Sequence, residues 1–194
     1  MLMLAAAPLR AASIEFRVLD SSGAPVADAA VYATPRSPMA LPKTRKEAAI
    51  TQKQRQFSPM VTVISTGTSV QFPNLDDVRH HVYSFSPVKT FEIKLYVGTP
   101  AKPVTFDKPG DVVLGCNIHD NMRAFVFVAD TPFVAKTDAS GRATVDDLPA
   151  GDFEIGVWHH AQAAAVLPRP MHIRTSQGAA QEVFAMRLRP AMAR

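Results

Sequence analysis

Short stretches of alternating apolar and polar residues, separated by turns rich in Gly, Pro, Asp and Ser, dominate this chain and predict an all-β fold. Near the start, Ile14, Phe16 and Val18 alternate ahead of the turn cluster Asp20-Ser21-Ser22-Gly23, and a second strand ends at Val31-Tyr32-Ala33. A complementary passage follows much later. Thr137-Asp138-Ala139-Ser140-Gly141 makes a turn into residues 143–145, Leu148-Pro149-Ala150-Gly151-Asp152 makes another, and strands are expected at 153–158 and 182–188. Residues 13–35 and 132–190 therefore read as two halves of one small sandwich, split by an insertion.

The insertion, residues 57–131, reads as a strand-rich unit of its own, with strands expected at 61–64, 69–72, 81–85, 90–97, 111–115 and 123–129. Period-two alternation predicts Phe91, Ile93, Leu95 and Val97 on one face and Glu92, Lys94 and Tyr96 on a wet one. Val126-Phe127-Val128 is apolar on both faces and is expected in the middle of a sheet.

Between two of these strands stands Gly115-Cys116-Asn117-Ile118-His119-Asp120-Asn121-Met122. A thiol, an imidazole and a thioether recur every third residue, and the Gly, Asn and Asp around them favour a tight loop over a helix. Taken singly, Cys116 reads as an inert buried cysteine, Met122 as core filler, and each His as a structural or exposed residue. Together they form a soft donor set. A thiolate with a thioether selects copper over magnesium or calcium, and two His, one Cys and a weak axial Met make a blue-copper site. The missing His is offered by His80 or His81, of which only one can face inward if the pair is extended. Trp158-His159-His160 has no Cys or acidic cluster with it and reads as structural, and His172 has no evident partner.

Composition narrows the possibilities. Of 194 residues 47% are apolar, and 16 Pro outnumber 9 Gly, which suits short strands and turns. The single cysteine excludes an internal disulfide framework, a multi-Cys zinc site and an iron-sulfur cluster. The net charge of +4 is concentrated in residues 36–56, whose six basic residues and one acid carry +5; the stretch reads as a solvated basic linker, and no nucleic-acid groove is indicated. No apolar run approaches the roughly 20 residues of a membrane-spanning helix, so no integral membrane segment is expected. Residues 1–12, apolar and ending in small side chains, resemble the remnant of a secretory signal and imply export to the periplasm.

Two family resemblances follow from these motifs. Gly23 to Val31 and Thr137 to Phe153 match turn-centred segments of the carboxypeptidase regulatory-like, or transthyretin-like, β-sandwich. Gly67, Val70, Phe72, Asn74, Asp76 and His80, followed by Pro109, Gly110, Cys116, His119 and Met122, resemble the cupredoxin family, and the short Cys-x-x-His-x-x-Met spacing is most similar to amicyanin. This second resemblance implies a Greek-key β-sandwich holding one type 1 copper ion through His80, Cys116, His119 and Met122, with His81 as the alternative first ligand. His81 stands where the family often has Asn, and Arg79 and Asp120 stand where Pro is common. Four protein ligands leave no open position for a substrate, so a one-electron carrier is expected rather than an enzyme. A copper-delivery module, or a scaffold with a degenerate copper site, is the alternative. The overall pattern also resembles methylamine-utilisation proteins, which implies a dehydrogenase or a cytochrome as redox partner.

Overall fold

The computed structural model describes residues 12–42, 47–173 and 180–189. Of the expected signal remnant only Ala12 lies among them, and it opens the first strand. In chain order the strands are β1 (Ala12–Asp20), β2 (Ala30–Pro35), β3 (Glu47–Ala49), β4 (Thr51–Lys53), β5 (Gln56–Ser58), β6 (Val61–Ser65), β7 (Thr68–Gln71), β8 (His80–Ser86) and β9 (Lys89–Tyr96). There follow β10 (Val104–Phe106), β11 (Gly110–Gly115), β12 (Arg123–Ala129), β13 (Val134–Lys136), β14 (Arg142–Leu148), β15 (Gly151–Trp158), β16 (Arg169–Ile173) and β17 (Ala180–Met186). The fold is all-β: the described residues contain no helix, and hence none long and apolar enough to cross a membrane.

Among the described residues, strands β3 to β12 pair only with one another. A five-stranded sheet, β6-β12-β11-β8-β9, faces a three-stranded one, β10-β7-β3, while β4 and β5 form a separate hairpin. Ile50, Val70, Phe72, Val82, Phe106, Leu114 and Val126 fill the core between them. As its apolar run predicts, β12 is an internal strand, lying between β6 and β11.

The chain's two outer passages meet in a second sandwich. One sheet is β14-β1-β17, with β1 and β17 parallel; the other is β13-β2-β15-β16. Ile14, Phe16, Val31, Ile155 and Phe184 share its core. Asp20 and Asp138 build matching turns: each carboxylate accepts a Ser hydroxyl and backbone N–H groups from the four residues after it. Those bonds, led by the hydroxyl, hold both carboxyls below the usual carboxylate range.

The sandwiches are packed together. The outer face of β6 and β12 carries Val61, Phe125, Phe127 and Ala129, and Ala30, Tyr32, Val134 and Trp158 cover it. Phe127 stacks on Trp158 with centroids 5.1 Å apart, and Phe125 stacks on His160 at 4.4 Å. Lys136 Nζ donates to the Val61 carbonyl across the junction at 3.0 Å. The apolar outer face of β12 is thus explained by a neighbouring sandwich.

Two expectations need correction. The passage expected to be a solvated linker supplies β3 and β4; β3 pairs in parallel with β7, and Ile50 and Gln52 are fully buried. Its inward positions are Ala48, Ile50 and Gln52, so the alternation exists but a small and a polar residue disguise it. Of the basic residues there, Lys43, Arg45 and Lys46 lie outside the described residues, and Arg36 pairs with Glu154 at 3.3 Å. The second correction concerns β9. Val82 faces Ile93 but His80 faces Tyr96, so β9 holds one extra residue between these pairs. This bulge reverses the side-chain parity. Tyr96 turns toward the core, while Leu95 and Val97 are exposed.

Candidate metal centre

Antiparallel pairing of β8 and β11 puts the first residue of β8 and the last of β11 at one end of the sandwich. His80 opens β8, and Cys116 directly follows β11. Residues 116–122 then form the loop expected from their composition, tightened by the Met122 N–H donating to the His119 carbonyl at 2.9 Å. The result is a cluster. One ligand atom each from His80, Cys116 and His119 lies within 4.8 Å of the others, and Cys116 Sγ is 3.9 Å from His119 Nδ1. The two imidazoles approach edge-on, with centroids 5.1 Å apart.

Burial grades outward. His80 and Cys116 are buried, His119 is half-buried, and its neighbour Ile118 is exposed. Met122 is 1% exposed and belongs to the same core cluster as Cys116. His81 lies on the other face of β8, as period-two geometry requires. Its Nε2 is 2.8 Å from Glu92 Oε1, and its ring lies beside Tyr83.

The hydrogen bonds of His80 define its chemistry. A carboxylate only accepts, so the 2.8 Å contact with Asp76 Oδ2 has Nε2–H as donor. The free lone pair is then on Nδ1, which is buried and has no hydrogen-bond partner among the described residues, a state it shares with Nδ1 of His81. A buried polar atom left this way costs about 1–3 kcal/mol, a cost that a metal ion would offset. Asp76 is itself held below the usual carboxylate range, first by the Arg55 backbone N–H and further by His80 and the Gln54 N–H. A thiol and two imidazoles, with a carboxylate hydrogen-bonded to one of them, form a donor set that fits copper.

The motif residue Asn74 is explained by its side chain. Nδ2 donates to the carbonyls of Val78 and Tyr96 at 2.8 and 2.9 Å, while Oδ1 accepts the Asp76 N–H at 3.0 Å. Tyr96 donates to the Phe72 carbonyl at 2.6 Å and meets the buried Gln52, and burial pushes its phenol up to about 12. Gln52 and Tyr96 were legible in the sequence only as a linker residue and a wet-face residue. Elsewhere, His172 does have a partner, Asp152, at 2.7 Å. His159 and His160 lie at the junction of the two sandwiches, away from the Cys116 cluster.

No protein-family model matches this sequence, and no curated protein matches it. Solved structures do. A purple cupredoxin from Nitrosopumilus maritimus is 20% identical, with 43% of this chain and 99% of that one covered and a TM-score of 0.38. An amicyanin variant in its reduced Cu(I) form is 17% identical, over 51% and 98% of the two chains, with a TM-score of 0.39. A Cu-containing nitrite reductase from Thermus scotoductus SA-01 is 24% identical over 50% of this chain, which spans a quarter of that enzyme's length, with a TM-score of 0.41.

Proposed function

We propose that this chain is a one-electron carrier of the type 1, or blue, copper class, with His80, Cys116, His119 and Met122 as the ligands of a single copper ion. One observation carries the reading: a buried thiol and two imidazoles, those of His80 and His119, converge within 4.8 Å. Copper bound there supplies a Cu(I)/Cu(II) couple. The chain's own residues set the conditions. Cys116 offers its sulfur from the end of β11, Asp76 fixes the His80 ring, and Met122 brings a weak thioether from the end of the loop. Four ligands from one chain leave no position for substrate, which favours electron transfer over catalysis. The half-buried His119, beside exposed Ile118, is the edge through which an electron enters and leaves.

In this reading residues 57–131 form the core of the copper unit, and the outer passages are a regulatory-like sandwich. The apolar opening of the chain directs it to the periplasm, and its partners are a dehydrogenase or a cytochrome. The test is direct. Cu(II) added to the pure protein is expected to give an intense visible thiolate charge-transfer band and the electron paramagnetic resonance spectrum of a type 1 site, both lost in Cys116→Ser. A colourless wild type that binds zinc as tightly as copper overturns the proposal.

A further inference from the structure

We infer that the β4–β5 hairpin is a positioning element of the metal centre, acting on His80 through the carboxylate of Asp76; the inference rests on the copper reading above. Three donors converge on this one side chain. Asp76 Oδ1 accepts the Gln54 N–H at 2.6 Å, and Oδ2 accepts both the Arg55 N–H at 2.9 Å and the His80 Nε2–H at 2.8 Å. Gln54 and Arg55 are the two turn residues of the hairpin, and both are left-handed, with φ of +54° and +57°. Non-glycine residues seldom adopt that conformation, and Asn-Gly is the usual pair in a two-residue turn of this kind. Here the strained turn aims two successive amides at one carboxylate.

The carboxylate is also held from behind. Its own N–H donates to Asn74 Oδ1, and the hairpin is tied to the same segment through Gln52 N–H to the Pro73 carbonyl and Leu75 N–H to the Gln52 carbonyl, each 2.8 Å. Asp76 therefore has one orientation available, and so has the His80 ring. Nε2 keeps the proton and Nδ1 keeps the lone pair before any metal arrives. Copper binding at Nδ1 is then linked to order in the hairpin, and linkage makes the effect reciprocal.

Metal-free, isotopically labelled full-length protein tests the first half. Nuclear magnetic resonance of its histidine nitrogens is expected to show His80 as a single Nε2–H tautomer in the wild type, a mixture in Asp76→Ala, and largely the wild-type state in Asp76→Asn, whose amide oxygen still accepts. Cu(I) tests the second half: its addition is expected to slow amide exchange at Gln54 and Arg55 tenfold or more in the wild type and to leave it unchanged in Asp76→Ala. Cu(II) affinity of Asp76→Ala is expected to fall at least tenfold with altered hyperfine splitting. If Asp76→Ala loses only thermal stability, keeping the tautomer, affinity and spectrum, the carboxylate is merely structural and the inference fails. If hairpin exchange ignores Cu(I) in a wild type that takes the metal up, the hairpin has no part in the site. A wild type that takes up no copper refutes the electron-carrier reading instead, while the tautomer result still judges Asp76.

Discussion

The ring of Tyr83 lies across Gly115, its cross-strand partner, so closely that a methyl group on Gly115 would sit 2.7 Å from the ring. Gly115 immediately precedes the cysteine of the cluster, and Tyr83 is braced by Phe85 at 4.9 Å and His81 at 5.5 Å. Gly115→Ala is expected to destabilise the sandwich of β3 to β12 by about 1–3 kcal/mol through overpacking, measured by urea unfolding. Tyr83→Ala in the same chain should recover part of that loss, because the two residues contend for one space and their effects will not add.

His80 and His81 are neighbours with opposite duties. His80→Ala is expected to abolish the visible band of the copper-loaded protein, and His81→Ala to leave it essentially intact, since His81 points to the outer face and meets Glu92. Absorbance of the two variants after Cu(II) titration decides this, and loss of colour in the His81 variant alone reverses the assignment.

Phe127 joins the two sandwiches by stacking on Trp158 and packing against Tyr32. Phe127→Ala should cost about 3–4 kcal/mol, as for other buried aromatics. Calorimetry is expected to show one cooperative transition for the wild type and two separated transitions for the variant.

Acid should loosen the outer sandwich beside that junction. Burial, with His160 adding to it, lowers His159 from its ordinary 6.5 to about 4. Its Nδ1 accepts the Ala161 N–H at 3.1 Å, a bond that protonation there would remove. Between about pH 6.5 and pH 4 the unfolded chain binds this proton and the folded one does not. The stability contribution is therefore complete above pH 6.5 and declines as the pH falls toward 4. Urea midpoints measured across that range should show the decline, and His159→Gln should reduce it, leaving the share of His160, which burial also lowers.

The grouping of Cys116 and His119 with His80 was legible in the sequence because unlike donor atoms stand there at short, repeated spacing, sulfur, imidazole and thioether at 116, 119 and 122. The outer strands were legible because Ile14, Phe16 and Val18 alternate plainly and both turns carry Asp, Ser and Gly. Residues 47–58 were not, because their inward positions are Ala48, Ile50 and Gln52, and burial of Gln52 depends on Tyr96 and Phe72, which are distant in sequence. The bulge in β9 was hidden for a similar reason: the local alternation through Leu95 and Val97 is intact, and only pairing with β8 shows that an extra residue reverses it. Phe127 and Trp158 each looked like an ordinary strand residue, since nothing local says that two separate sheets will meet there.

The parallel pairing of β1 with β17 joins strands from opposite ends of the described chain. Every pairing of β3 to β12, in contrast, is made within one continuous stretch. During synthesis the inner unit has all its partners as soon as β12 is made, whereas β1 must wait with both edges unpaired until β14 and with one unpaired until β17. Long sequence separation makes such closures slow. The outer sandwich therefore cannot close until the insert has all its strands, and a ribosome stalled before β17 would leave an edge of β1 exposed to aggregation.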